Sequence, residues 1–108
     1  MSQFAKKKDN NHNEVAAEFR RLGCGVKDVH SLPNFCDIIV CYQGETVMVE
    51  IKDGSKPPSA RKLTSGELKF SDEWTAKGGK WACIETIGQA RDLVKSIHQA
   101  KELVKSIG

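Results

Sequence analysis

Two runs of β-branched and apolar residues, 35–42 and 45–52, flank the pair Gln43-Gly44, and nothing else restricts the fold of this chain so tightly. Side chains that branch at Cβ suit a pleated strand, and a two-residue break carrying glycine signals a tight hairpin. A turn of that length also fixes the register. It pairs Tyr42 with Glu45 and, continued outward, places Asp37 opposite Glu50. Because side chains alternate along a strand, Val47, Val49 and Ile51 share one purely apolar face that must be core. Asp37, Glu50 and Lys52 share the other face with Ile39 and Met48.

The flanking sequence supplies the remaining elements. Asp9 to Asn13 offers several capping residues ahead of an amphipathic run, with Val15, Phe19 and Leu22 at helical spacing and Gly23 as the stop. A short strand over 25–30 and a turn over 31–34 lead into the hairpin. After Lys52 the chain is rich in glycine, proline and serine, which predicts a loop over 53–59. Thr64-x-x-Glu67 matches a capping box for a helix running to about Lys77, and Gly78-Gly79 ends it. A strand over 81–85 and a terminal helix over 88–107 follow. That helix holds a tandem decapeptide, QARDLVKSIH at 89–98 and QAKELVKSIG at 99–108, with Leu93, Val94, Ile97, Val104 and Ile107 on one face. A long helix used for packing or dimerisation is expected there.

The resulting order is α-β-β-β-α-β-α, an α/β domain with a mixed central sheet flanked by helices. A chain of 108 residues is long enough for one core and too short for two. We expect a flexible basic arm over 1–8 and a single domain over 9–108. Net charge is only +3, which is compatible with a polyanionic partner without requiring one. The four cysteines, Cys24, Cys36, Cys41 and Cys83, form no C-x-x-C pair and lie far from His12, His30 and His98, so zinc spacing is absent. They read as reduced core thiols. No apolar run approaches membrane-spanning length, and no apolar stretch follows the basic start. Together these features predict a cytoplasmic protein, neither secreted nor inserted in a membrane.

Chemistry is concentrated on the polar face of the hairpin. Two carboxylates placed opposite each other repel, and three arrangements relieve them: solvation at a sheet edge, a salt bridge, or a bound divalent cation. Lys52 makes the salt bridge the plain structural reading. The apolar neighbourhood weighs against it, because an ionic cluster within a core sheet is costly unless it has work to do. In the functional reading, Asp37 and Glu50 offer hard oxygen ligands to Mg²⁺ or Mn²⁺, and Lys52 orients a water or stabilises charge on a phosphate.

Asp37, then twelve residues, then Glu50-Ile51-Lys52 resembles the PD-(D/E)XK nuclease signature. The text around it is more specific: VEIKDGSKPPSARKLTSGELKF at 49–70, preceded by DNNHNEVAAEFRRLGCGV at 9–26. This resembles the small VRR-NUC-like and phage-encoded nucleases, related in fold to archaeal Holliday-junction resolvases. The resemblance implies a restriction-endonuclease-like core and Mg²⁺- or Mn²⁺-dependent endonucleolytic cleavage of DNA, with branched or structured DNA preferred. It implies catalytic roles for Asp37, Glu50 and Lys52, and metal ligation by Asp37, Glu50 and the backbone carbonyl of Ile51. Glu14 matches a position whose acid approaches the metal in several relatives, although an exposed helix glutamate would look the same. Glu67 and His12 stand where glutamine is common and are accessory candidates. Cys36 replaces the proline of the signature.

Lys56, Arg61 and Lys62 crowd the loop beyond Lys52 and are candidates for gripping phosphates; a solvated charged loop is the alternative. Trp74 and Trp81 could stack on bases, but core packing is the expected role of both. The stretch around His12 finds no partner histidine at useful spacing. Cutting two strands with a small one-site domain suggests a homodimer. Two rival readings remain open: a non-catalytic DNA-binding module on the same scaffold, and an ion-paired hairpin in a protein-interaction domain.

Overall fold

A computed structural model describes residues 7–107. Most of the basic arm expected over 1–8 lies outside the described residues. The elements are α1 (His12–Arg21), β1 (Gly25–Asp28), β2 (Ile38–Tyr42), β3 (Glu45–Ile51), α2 (Ser65–Ala76), β4 (Lys80–Ile84) and α3 (Ile87–Ile107), with a short 3-10 turn at Pro58–Arg61. The order is the expected one, and the four strands form one mixed sheet, β1-β2-β3-β4.

The hairpin forms as its turn dictates. Gln43 and Gly44 both take positive φ, 49° and 82°, the backbone of a type I′ turn whose twist matches the flanking strands. Tyr42 pairs with Glu45, and the ladder runs back to Ile38 opposite Val49. β1 adds antiparallel to β2, and β4 adds parallel to β3. A parallel neighbour needs a long crossover. The loop after Lys52 and α2 provide it, and both halves of the Thr64/Glu67 capping box are formed.

The core lies between one face of the sheet and the helices α1 and α3. Val15 and Phe19 of α1, Ile38, Val40, Val47, Val49 and Ile51 of the hairpin, and Ala90 and Val94 of α3 belong to one buried cluster. α2 lies on the opposite face, where its Glu67 meets Lys52.

Two departures from the sequence reading lie in α1 and α3. Asn11 occupies the N-cap of α1 but makes no side-chain capping bond. Its Nδ2 instead donates to the carbonyls of Lys52 (2.9 Å) and Glu85 (3.0 Å), tying together the chain just beyond β3 and β4. α3 also carries its apolar face farther than the body extends. Val94 is buried and Leu93 and Ile97 pack against the core, whereas their repeat counterparts Leu103, Val104 and Ile107 are 60%, 66% and 78% exposed. Val104 and Ile107 therefore do not join the packed face expected for the whole helix. Among the described residues no helix is long and apolar enough to cross a membrane.

Candidate active site

Asp37 precedes β2 and is 2% exposed. Its backbone N–H donates to the carbonyl of Val49 (3.0 Å), the residue that Ile38 already faces across the ladder. Regular pairing therefore stops at Ile38, and the square opposition of Asp37 and Glu50 expected from the turn is not continued. The Asp37 carboxylate turns instead toward the end of β3, where its Oδ2 accepts from the backbone N–H of Ile51 at 2.7 Å. A strand residue directs its N–H and C=O to the same neighbour. The Ile51 carbonyl consequently lies on the Asp37 side, while its side chain stays in the core, 1% exposed.

Glu50 is 1% exposed and stands beside Cys83 in the parallel β3–β4 ladder. The Cys83 thiol is pushed up to about 11, first by burial and then by Glu85 and Glu50, with Lys52 acting against them. Lys52 follows β3. Its N–H donates to the Ile84 carbonyl (3.1 Å), and its Nζ donates to Oε1 of Glu67 at 2.9 Å. The same Glu67 oxygen accepts the Thr64 N–H (2.9 Å), so one carboxylate caps α2 and holds the ammonium. Cys36, in the place of the signature proline, is fully buried and donates its thiol to the Ile38 carbonyl at 3.5 Å.

A cleft of about 360 Å³ opens at this end of the sheet, lined by Lys52, Glu67, Thr64, Asn34, Pro33, Asp9 and Lys7. Lys52 and Glu67 form part of its wall; Asp37 and Glu50 are not among the lining residues. Lys56 and Lys62 are exposed on the adjoining loop. Arg61 is more committed, donating to the Lys56 carbonyl (2.8 Å) and to Glu85 (3.1 Å). Trp74 stacks on Phe70, with ring centroids 5.5 Å apart, and is 37% exposed. It is not the core tryptophan the sequence suggested. Trp81 is half-buried.

With this geometry in view, known proteins give a clear comparison of architecture. No family model matches the chain, and no curated protein sequence matches it. Among solved structures, a VRR_NUC domain aligns with a TM-score of 0.60, over 79% of this chain and 91% of that one, at 20% identity. The chain has the fold of a VRR_NUC domain. On this VRR_NUC fold, the ends of β2 and β3 carry Asp37, Glu50 and Lys52, and the crossover into α2 brings Glu67 to Lys52.

The accessory candidates fall elsewhere. Glu14 is exposed in the first turn of α1, in contrast to the sealed acids of the hairpin. The buried acid of α1 is Glu18, held down to about 2 by hydrogen bonds from Arg21 and Arg91. His12 is 1% exposed and meets Asp28, its Nε2 lying 2.9 Å from Oδ2. His30 approaches the other oxygen of Asp28 through Nδ1 at 2.6 Å. Burial would raise the Asp28 carboxyl, but the backbone and ring of His30, then His12 and Lys8, hold it far below the usual carboxylate range. His12 thus has a partner histidine after all, one that linear spacing could not reveal. Asn11 was also missed, because its residue type suggested only a cap.

Proposed function

We propose that this protein is a divalent-metal-dependent endonuclease that hydrolyses DNA phosphodiester bonds, with branched or otherwise structured DNA as its preferred substrate. One observation carries the reading: two sealed carboxylates, Asp37 and Glu50, flank the end of β3 next to a lysine that reaches a cleft, on a VRR_NUC fold. Burying such acids in an apolar sheet costs stability, and a catalytic role explains their retention.

The donors suit the metal this reading requires. Asp37, Glu50 and the Ile51 carbonyl form an all-oxygen set, the preference of Mg²⁺ or Mn²⁺ rather than of softer ions. Such a metal, when bound, supplies an activated water and neutralises charge on the phosphate. The bond from the Ile51 N–H orients the Asp37 carboxylate. Lys52 presents its ammonium at the cleft wall, where it holds the attacking water or stabilises negative charge on the phosphate. Glu67 fixes that ammonium in place. Lys56 and Lys62 contact phosphates beside the scissile bond, on a loop that Arg61 shapes and helps to charge; this contact gives affinity without sequence preference.

The deciding experiment incubates plasmid and four-way-junction DNA with Mg²⁺ or Mn²⁺, using wild type and Glu50→Ala. We expect cleavage by wild type and a loss of about a hundredfold or more in the variant. Cleavage that survives in Glu50→Ala would remove the assignment. A specific observation favours a second reading: the Lys52 ammonium is bonded to Glu67, and neither hairpin acid lines the cleft. A non-catalytic DNA-binding module tolerates that arrangement, and it predicts binding of the junction by wild type without cleavage. For the enzyme we also propose a homodimer, with one site for each strand; a monomeric mass by light scattering would overturn it.

A further inference from the structure

Away from the hairpin acids, His12 meets two residues, Asp28 and His30, that lie well beyond it in the sequence. His12 opens α1, Asp28 ends β1, and His30 lies in the connection to β2. Their candidate donor atoms all lie within 4.8 Å of one another, and the two imidazoles meet edge to face with centroids 5.6 Å apart. We propose that His12, Asp28 and His30 form a second metal site, for a transition-metal ion of the zinc class, separate from the oxygen-only cluster at Asp37 and Glu50.

The donor chemistry selects the ion. Two imidazole nitrogens and one carboxylate favour Zn²⁺, Co²⁺ or Ni²⁺ over Mg²⁺. In a tetrahedral zinc site the donors stand about 2.0–2.2 Å from the ion and so about 3.3 Å from each other. The carboxylate sits 2.9 Å from His12 and 2.6 Å from His30, so small side-chain shifts reach that spacing. Burial is graded across the site. The His12 side chain is 1% exposed, that of His30 27% and that of Asp28 34%, which closes the protein side and leaves room for a water on the other. A backbone bond from the His30 N–H to Asp28 Oδ1, at 3.0 Å, steadies the carboxylate. Lys8, whose Nζ lies 3.2 Å from Asp28 Oδ2, is the charge an incoming ion displaces.

The consequence is mechanical. An ion here clamps the start of α1 to the connection that delivers Asp37, whose carbonyl accepts the Val29 N–H at 2.9 Å. Asn11, adjacent to His12, already holds the Lys52 carbonyl. The clamp therefore braces both approaches to the hairpin acids.

The test uses the full chain, stripped of metal and titrated with Co²⁺ and with Zn²⁺ in the absence of Mg²⁺. We expect one ion per chain, visible d–d absorption of nitrogen- and oxygen-coordinated Co²⁺, and a higher Tm. Asp28→Asn and the partly exposed His30→Ala should each weaken binding by about tenfold or more. Glu50→Ala should bind as wild type does, which separates this site from the proposed nuclease centre. The inference fails if wild type shows no saturable binding below millimolar Co²⁺ or Zn²⁺. It fails equally if a thiolate-to-metal charge-transfer band places the ion on cysteine, or if folded His30→Ala and Asp28→Asn, checked by circular dichroism, both bind as tightly as wild type.

Discussion

The two faces of β3 come from alternate residues of the same seven-residue strand, yet they are built on opposite terms. On the side of α1 and α3, Val47, Val49 and Ile51 belong to the apolar core cluster, and burial stabilises each of them. Toward α2, Glu50 and neighbouring Lys52 are buried to nearly the same degree, beside Glu67 and Asp37. One face is therefore a source of stability and the other a drain on it. Similar burial does not imply a similar role.

The comparison is broken most directly on the apolar side. Phe19→Ala should cost about 3–5 kcal/mol in urea unfolding, the range for a fully buried aromatic side chain. A loss below about 1 kcal/mol would show that this face is not the stabilising one. On the ionic side, Lys52→Met should cost about 3 kcal/mol by taking the ammonium away from the buried Glu67 carboxylate. Adding Glu67→Gln should return most of that loss, because the amide oxygen can still accept the Thr64 N–H. If the double variant is no more stable than Lys52→Met alone, the cost lies in packing and not in charge.

The smallest effect concerns the rim where α1 meets α3. Arg21 and Arg91 lower Glu18 from its ordinary 4.5 to about 2, so in this interval the folded chain binds fewer protons than the unfolded one. Its contribution is fully present above pH 4.5 and is lost as the pH falls toward 2. A series of Tm measurements across that interval should show a shallower acid decline in Arg91→Ala than in wild type. Equal slopes would mean that Arg21 alone sets the carboxylate.

Local patterns carried much of this structure into view from the sequence. A two-residue turn leaves one choice of register, and alternation then assigns Val47, Val49 and Ile51 to the core. The capping box at Thr64 and Glu67 has a fixed chemical meaning and formed as read. What stayed hidden depends on where elements end or on distant partners. The departure of Asp37 from the ladder leaves no trace in a period of two. The near-identical decapeptides of α3 share one pattern, and periodicity does not tell where the supporting body stops. His12 is joined to Asp28 and His30 only by the packing of α1 against β1. Within the candidate site, the motif residues stood out as a set, but the depth at which Asp37 and Glu50 sit did not, because burial comes from the elements folded over them.

The parallel seating of β4 against β3 bears on the order in which the molecule gains its competence. The β2–β3 hairpin closes through a two-residue turn, a short-range event, whereas β4 reaches Ile51 through Ile84 only after the whole crossover has been drawn in. Glu67 travels on that crossover. The groups around Lys52 are thus completed by the least local pairing of the sheet, and on refolding the Lys52–Glu67 contact should form after the hairpin does.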